Sequence, residues 1–140
     1  MVDDSTLDQV IDSMRVVAVV GLSDKPWRPS YGVGAYLRDA GIRIVPINPL
    51  LAGRSVLGER AYASLLDVPR DIRIDVVDVF RRSELVPPIV DDAIARGDAR
   101  AIWMQEGVVN EEAASRAREA GLAVIMDSCL AVQHRLRRRR

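Results

Sequence analysis

The chain contains one cysteine, Cys129, which excludes an internal disulfide and any zinc site built on several cysteines. No apolar run approaches the roughly 20 residues that span a bilayer. The opening segment, MVDDSTLDQVIDSM, is acidic and broken by polar side chains, unlike a secretory signal. These absences predict a soluble protein of a reducing compartment, the cytoplasm, with no membrane partner. No Ser-His-Asp order, paired-carboxylate motif or metal-ligand spacing occurs, so no catalytic or metal-binding residue is assigned. Excess basic charge is missing too. Lys plus Arg and Asp plus Glu each number 20, and five of the basic residues, Arg135 and Arg137 to Arg140, crowd into the last six positions. The remainder is net acidic, a poor general surface for nucleic acid. Residues 135–140 read as a solvated, frayed basic tail.

What is present is an alternation of short apolar runs and amphipathic segments. Nearly half of the 140 residues are apolar, enough for one domain, residues 1–140, to bury a core without covalent staples. Apolar residues at helical spacing predict a first helix over residues 5–14, with Ser5 as its N-cap. Further helices are expected over 31–40 (capped by Ser30), 84–96 (capped by Ser83, with Pro87 and Pro88 in its first turn) and 111–120 (capped by Asn110). Gly41, Gly97 and Gly121 stand where helices stop. Tyr62 to Leu66 suggests a short helix, and residues 131–138 carry the pattern of a last one. Strands are expected over 16–20, 42–47, 72–79, 101–104 and 122–126, several of them continuous β-branched runs that suit burial on both faces. The segment LLAGRSVLGER has no clear pattern. The fold class predicted is α/β: one doubly wound, Rossmann-like domain with a five-stranded parallel sheet flanked by helices.

The segment from Val16 to Pro49 is a βαβ unit with a polar loop at its crossing. Gly21 releases the backbone after the first strand. Ser23, Lys25, Arg28 and Ser30 then lead into a helix N-terminus, a setting that favours anions. The closely spaced glycines of G-x-G-x-x-G are absent. No acid ends the second strand, where a dinucleotide site would hold ribose hydroxyls; Asn48 and Pro49 stand there instead. The pattern leans away from NAD and towards a nucleotide with an extra phosphate, either coenzyme A or NADP. Ligands of open parallel sheets bind beyond the carboxyl ends of the strands. That rule adds Phe80, Arg81 and Arg82 after the third strand, Gln105, Glu106 and Gly107 after the fourth, and Asp127, Ser128 and Cys129 after the fifth. Trp27 either covers a ligand or plugs the loop. Cys129 and His134 read as an inert buried thiol and a surface imidazole.

The motifs VGLSDKPWRPSYGV, VPINP, VDVFRRSE, WMQEGVVNEEAASRAREAGL and VIMDSC occur in this order and spacing. The chain thereby resembles the stand-alone CoA-binding protein family, itself similar to the N-terminal domain of the succinyl-CoA synthetase α subunit. The resemblance covers roughly Leu7 to Leu136. It implies a Rossmann-like fold holding coenzyme A or an acyl-CoA, with Ser23 to Ser30 at the phosphates and Arg28 foremost. It also implies that Asn48 and Pro49 border the nucleotide, that Phe80 and Arg81 line the adenosine side, and that Gln105 and Gly107 flank the pantetheine arm. Ser128 departs from the family's M-D-R-C pattern, so a contact made there by an arginine is missing. Three other functions stand beside a non-catalytic CoA module. They are a subunit of a multi-chain acyl-CoA synthetase, an NADP-binding protein, and a regulator that meets a protein or nucleic-acid partner through its arginine tail.

Overall fold

Buried strands of valine and isoleucine form the centre of the molecule, which a computed structural model describes over residues 2–138. The main sheet joins β1 (Val16–Val20), β2 (Arg43–Ile47), β5 (Val76–Val79), β6 (Ala101–Met104) and β7 (Ala123–Ile125). Its order is β2-β1-β5-β6-β7, every pairing is parallel, and both faces are covered. Val17, Val19, Trp103 and Ile125 pack on one side beneath α1 (Asp4–Ser13), α2 (Pro29–Asp39) and α5 (Leu130–Arg138). Ala18, Val20, Val77, Val79 and Ile102 pack on the other beneath α3 (Val86–Arg96) and α4 (Glu111–Glu119). The predicted α/β class and parallel sheet are therefore what the chain adopts.

Several boundaries differ, each for a local reason. Asp3 caps α1 by accepting from the Thr6 N–H at 2.8 Å, so Ser5 lies inside the helix. Arg28, not Ser30, is the N-cap of α2. Ser83 opens a 3₁₀ turn, Ser83–Leu85, before α3. Its hydroxyl accepts from the Val109 N–H at 3.0 Å instead of capping the helix. The strand expected from residue 72 begins at Val76. Ahead of it, side chains take the backbone groups: Ile74 N–H donates to Asp98 at 3.1 Å, and Arg96 donates to the Ile72 carbonyl at 2.8 Å. Tyr62 is not helical; it bridges to Ile47 alongside β2, and a 3₁₀ turn follows at Leu65–Asp67. The patternless segment holds a small hairpin, β3 (Ser55–Val56) and β4 (Glu59–Arg60), turned through Leu57 and Gly58.

The basic end is a further correction. Arg135, Arg137 and Arg138 continue α5, because Arg137 donates to Asp8 at 2.7 Å and lies 3.7 Å from Asp4. Arg135 stands over the Tyr36 ring, 5.1 Å from its centroid. Arg139 and Arg140 lie outside the described residues.

Asp78 breaks the apolar pattern. It is fully buried on β5, between Val19 and Trp103 in register, and neither carboxylate oxygen has a hydrogen-bond partner among the described residues. Burial raises its pKa well above the ordinary 3.8. The folded chain thus keeps a proton that the unfolded chain releases, and stability falls as pH rises past the ordinary carboxylate range, by about 1.4 kcal/mol per pH unit while only the unfolded form is ionised. Asp78→Asn is expected to stabilise the protein by about 1–3 kcal/mol at pH 8. The gain should shrink towards pH 4. Urea unfolding across that range checks this; an unaltered pH dependence in the variant would contradict it.

Candidate functional site

β1 connects through α2 to β2 on one side, and the chain then crosses to β5 on the other. The strand order reverses between β1 and β5, the place where open parallel sheets leave a crevice. Gly21 makes the turn there with φ +90°, and its N–H donates to the Ile47 carbonyl at 2.8 Å. A Cβ on Gly21 would fall 2.4 Å from the Phe80 carbonyl oxygen. Only glycine lets the ends of β1 and β5 come this close.

The loop that follows is braced from within. The Ser23 N–H donates to Ser30 Oγ and the Lys25 N–H to Ser23 Oγ, each at 3.0 Å. The Arg28 N–H donates to the Lys25 carbonyl at 3.0 Å, closing a turn with Pro26 at its second position. Asn48 stitches this loop to the end of β2. Its Nδ2 donates to the Leu22 carbonyl and its Oδ1 accepts from the Leu50 N–H, both at 3.0 Å. Asn48 therefore positions the backbone as well as bordering the space.

These elements enclose a cleft of about 540 Å³. Of the residues expected from sequence, Gly21, Ser23, Lys25, Arg28, Ser30, Asn48, Phe80 and Arg81 line it. Asp24, Leu50 and Leu51 also line it. Lys25 lies 4.0 Å from Asp24, at the surface. Among the described residues neither Arg28 nor Arg81 has an ionic partner. α2 points its N-terminus at this space, with no acid in its first turn and no side-chain cap. Two guanidinium groups with no ionic partner among the described residues, an ammonium and a helix N-terminus give the cleft a lining whose electrostatics favour anions.

Pro49 faces a second space. This groove, about 270 Å³, is lined by Val20, Ile47, Leu65, Leu85 and Ile89, with the charged Arg81 and Asp92. Burial, reinforced by Asp91 and Asp67, pushes the Asp92 carboxyl up. Sequence reasoning missed Leu65, Leu85 and Ile89. Leu85 and Ile89 were legible as an i, i+4 apolar pair just after a strand end, whereas nothing marked Leu65.

Gln105 and Gly107 line neither space. Gln105 is buried and accepts from the Leu130 N–H at 3.2 Å, while the Gly107 N–H donates to Asp127 at 2.7 Å. Both tie the β6 end to the β7 end. Trp27 is 76% exposed, which overturns the plug. Cys129 is half-buried against the core under α5. His134 sits elsewhere, its Nδ1 2.8 Å from the Tyr36 hydroxyl. Burial and then the Arg138 charge lower its pKa.

The fold is a Rossmann-like α/β domain with a cation-lined cleft at its switch point. The pattern of the CoA binding domain family matches residues 15–135, and the chain belongs to that family. It is 41% identical over 128 residues to the uncharacterized protein YneT of Bacillus subtilis (strain 168), covering 91% of each chain. It is 27% identical over 127 residues to the acetate–CoA ligase (ADP-forming) of Methanocaldococcus jannaschii, covering 86% of this chain and 18% of the ligase. Among solved structures it superposes on cell-free ID.343 from Thermus thermophilus with a TM-score of 0.89 at 33% identity, covering 96% of this chain and 98% of that one. No helix among the described residues is long and apolar enough to cross a membrane.

Proposed function

We propose that the protein is a non-catalytic module that binds coenzyme A or an acyl-CoA in the cytoplasm. The observation that carries this reading is the pair of guanidinium groups, Arg28 and Arg81, that line one cleft at the switch point and have no ionic partner among the described residues. In it the diphosphate lies between the Ser23–Ser30 loop and Gly21, against the α2 N-terminus. The adenine enters the apolar groove beside Pro49, next to Phe80 and Arg81. The pantetheine arm leaves towards the β6 end, near Gln105 and Gly107. NADP would need the same phosphate sites, but the reading gives no place to a hydride acceptor. Nucleic acid is disfavoured by an acidic body and by the engagement of Arg135 and Arg137 within the fold.

The test is titration calorimetry with CoA and with NADP on the natural protein and on Arg28→Ala. CoA is expected to bind in preference to NADP, and Arg28→Ala to weaken CoA about 10- to 100-fold, the worth of one or two charged hydrogen bonds. Tighter binding of NADP, or no binding of CoA, would refute the reading. The similarity to the acetate–CoA ligase favours a second one, in which the chain serves as the CoA-holding subunit of a multi-chain synthetase. It predicts thioester formation only when partner chains supply the remaining machinery, and CoA binding without turnover when the chain is alone.

A further inference from the structure

The anion cleft and the apolar groove share one lining residue, Arg81. Their boundary runs across three consecutive strand ends. Val20 faces the groove and Gly21 the cleft; Pro49 faces the groove and Asn48 the cleft; Phe80 faces the cleft and Arg81 both. Taking the CoA reading as given, the adenine occupies the groove and the diphosphate the cleft, so the ribose between them must cross this boundary. A phosphate carried on that ribose then lies at the boundary too. Arg81 is half-buried and, among the described residues, lacks an ionic partner, whereas its neighbour Arg82 is exposed and lies 4.0 Å from Glu84. Asp92 also lines the groove and, with Asp91 and Asp67 nearby, repels phosphate. The base, not the phosphate, is what the groove's interior accepts.

We propose that Arg81 is the specificity-determining residue for the ribose phosphate, the group that distinguishes coenzyme A from dephospho-coenzyme A, while Arg28 serves the diphosphate common to both. The division of labour is physical. A planar guanidinium at the junction can grip a phosphate monoester with two parallel N–H bonds, and the charge-assisted bonds are strong in a partly desolvated site. A ligand lacking the monoester leaves Arg81 with nothing to bind.

The experiment measures dissociation constants of CoA and dephospho-CoA for the natural protein, Arg81→Ala, Arg81→Gln, Arg28→Ala and Arg82→Ala. The natural protein should prefer CoA by about 10- to 100-fold, as loss of a charge-assisted contact implies. Both Arg81 variants should reduce that ratio to less than about 3-fold while leaving the dephospho-CoA constant nearly unchanged. Arg28→Ala should weaken both ligands with the ratio preserved, and Arg82→Ala should alter neither. Should Arg81→Ala misfold, Arg81→Gln, which keeps the polar stem, carries the same readout. The proposal falls if the Arg81 variants keep the preference, if they weaken both ligands equally, or if Arg28→Ala is the one that abolishes it. Absence of any preference in the natural protein, with CoA still bound, also sinks it while the CoA reading stands; absence of all CoA binding removes that reading itself.

Discussion

Arg96→Ala is expected to lower the unfolding free energy by about 3–5 kcal/mol, the range for removing one partner from a buried ion pair. Arg96 closes α3 with 6% of its surface exposed. Its Nη1 donates to the carbonyls of Leu65 and Val68 at 3.1 and 2.6 Å. Its Nη2 donates to the Ile72 carbonyl and to Asp98 at 2.8 and 2.9 Å, and its Nε to Asp98 at 3.2 Å. Truncation takes a donor from three carbonyls at once, of which that of Leu65 keeps the Val68 N–H at 3.2 Å. Asp98 loses the partner whose hydrogen bonds, with one from the Ile74 N–H, outweigh burial and hold its pKa below the usual carboxylate value. The Asp98 contribution is present above the ordinary carboxylate pKa and fades as pH falls through the lowered one, so the natural protein should also lose stability in acid from this source. Because Leu65 lines the apolar groove, the surviving folded fraction should bind CoA more weakly. Urea denaturation followed by circular dichroism measures the shift. A change under about 1 kcal/mol would mean that water replaces the guanidinium without penalty.

Gly21→Ala is expected to cost on the order of 2–5 kcal/mol and to abolish or severely weaken CoA binding. A left-handed backbone costs an L-residue about 1–2 kcal/mol. The added Cβ must also relieve its 2.4 Å approach to the Phe80 carbonyl oxygen by parting β1 from β5, a strain of the size overpacking brings, about 1–3 kcal/mol. Gly32 provides the contrast. It lies within α2, and a Cβ added there would meet nothing within 4 Å, so Gly32→Ala should stabilise by roughly 0.5–1 kcal/mol. Thermal unfolding and calorimetry of both variants read this out. Equal effects from the two would show that the Phe80 contact is yielding.

The main sheet was legible because β1, β2, β6 and β7 are short, near-continuous apolar runs, and a fully buried parallel strand leaves no other signature. The start of β5 was not, since Ile72 and Ile74 look like strand residues and only the distant Arg96 and Asp98 divert their backbone groups. Ser30 and Ser83 looked like helix caps because serine before an amphipathic run usually is one. Here their hydroxyls accept from backbone N–H groups in other loops, a choice that tertiary proximity makes. At the candidate site, the strand-end rule located the cleft through Gly21, Arg28 and Arg81. It also named Gln105 and Gly107, which line neither space and whose polar groups bond to the segment after β7. The apolar groove escaped notice because Leu65 reaches it from a 3₁₀ turn with no periodicity.

The course of α5 has a practical corollary. The helix starts at the carboxyl end of β7 and runs back to the opposite rim of the sheet, where Arg137 is gripped by Asp8 and borders a hollow with Met14, Gly41 and Ile42. Arg138, the last described residue, thus borders the rim remote from Gly21 and Arg28. If the chain is immobilised on a sensor chip through residues near this rim, the Gly21–Arg28 cleft is expected to face solution, so CoA association can be measured there without obstruction by the surface.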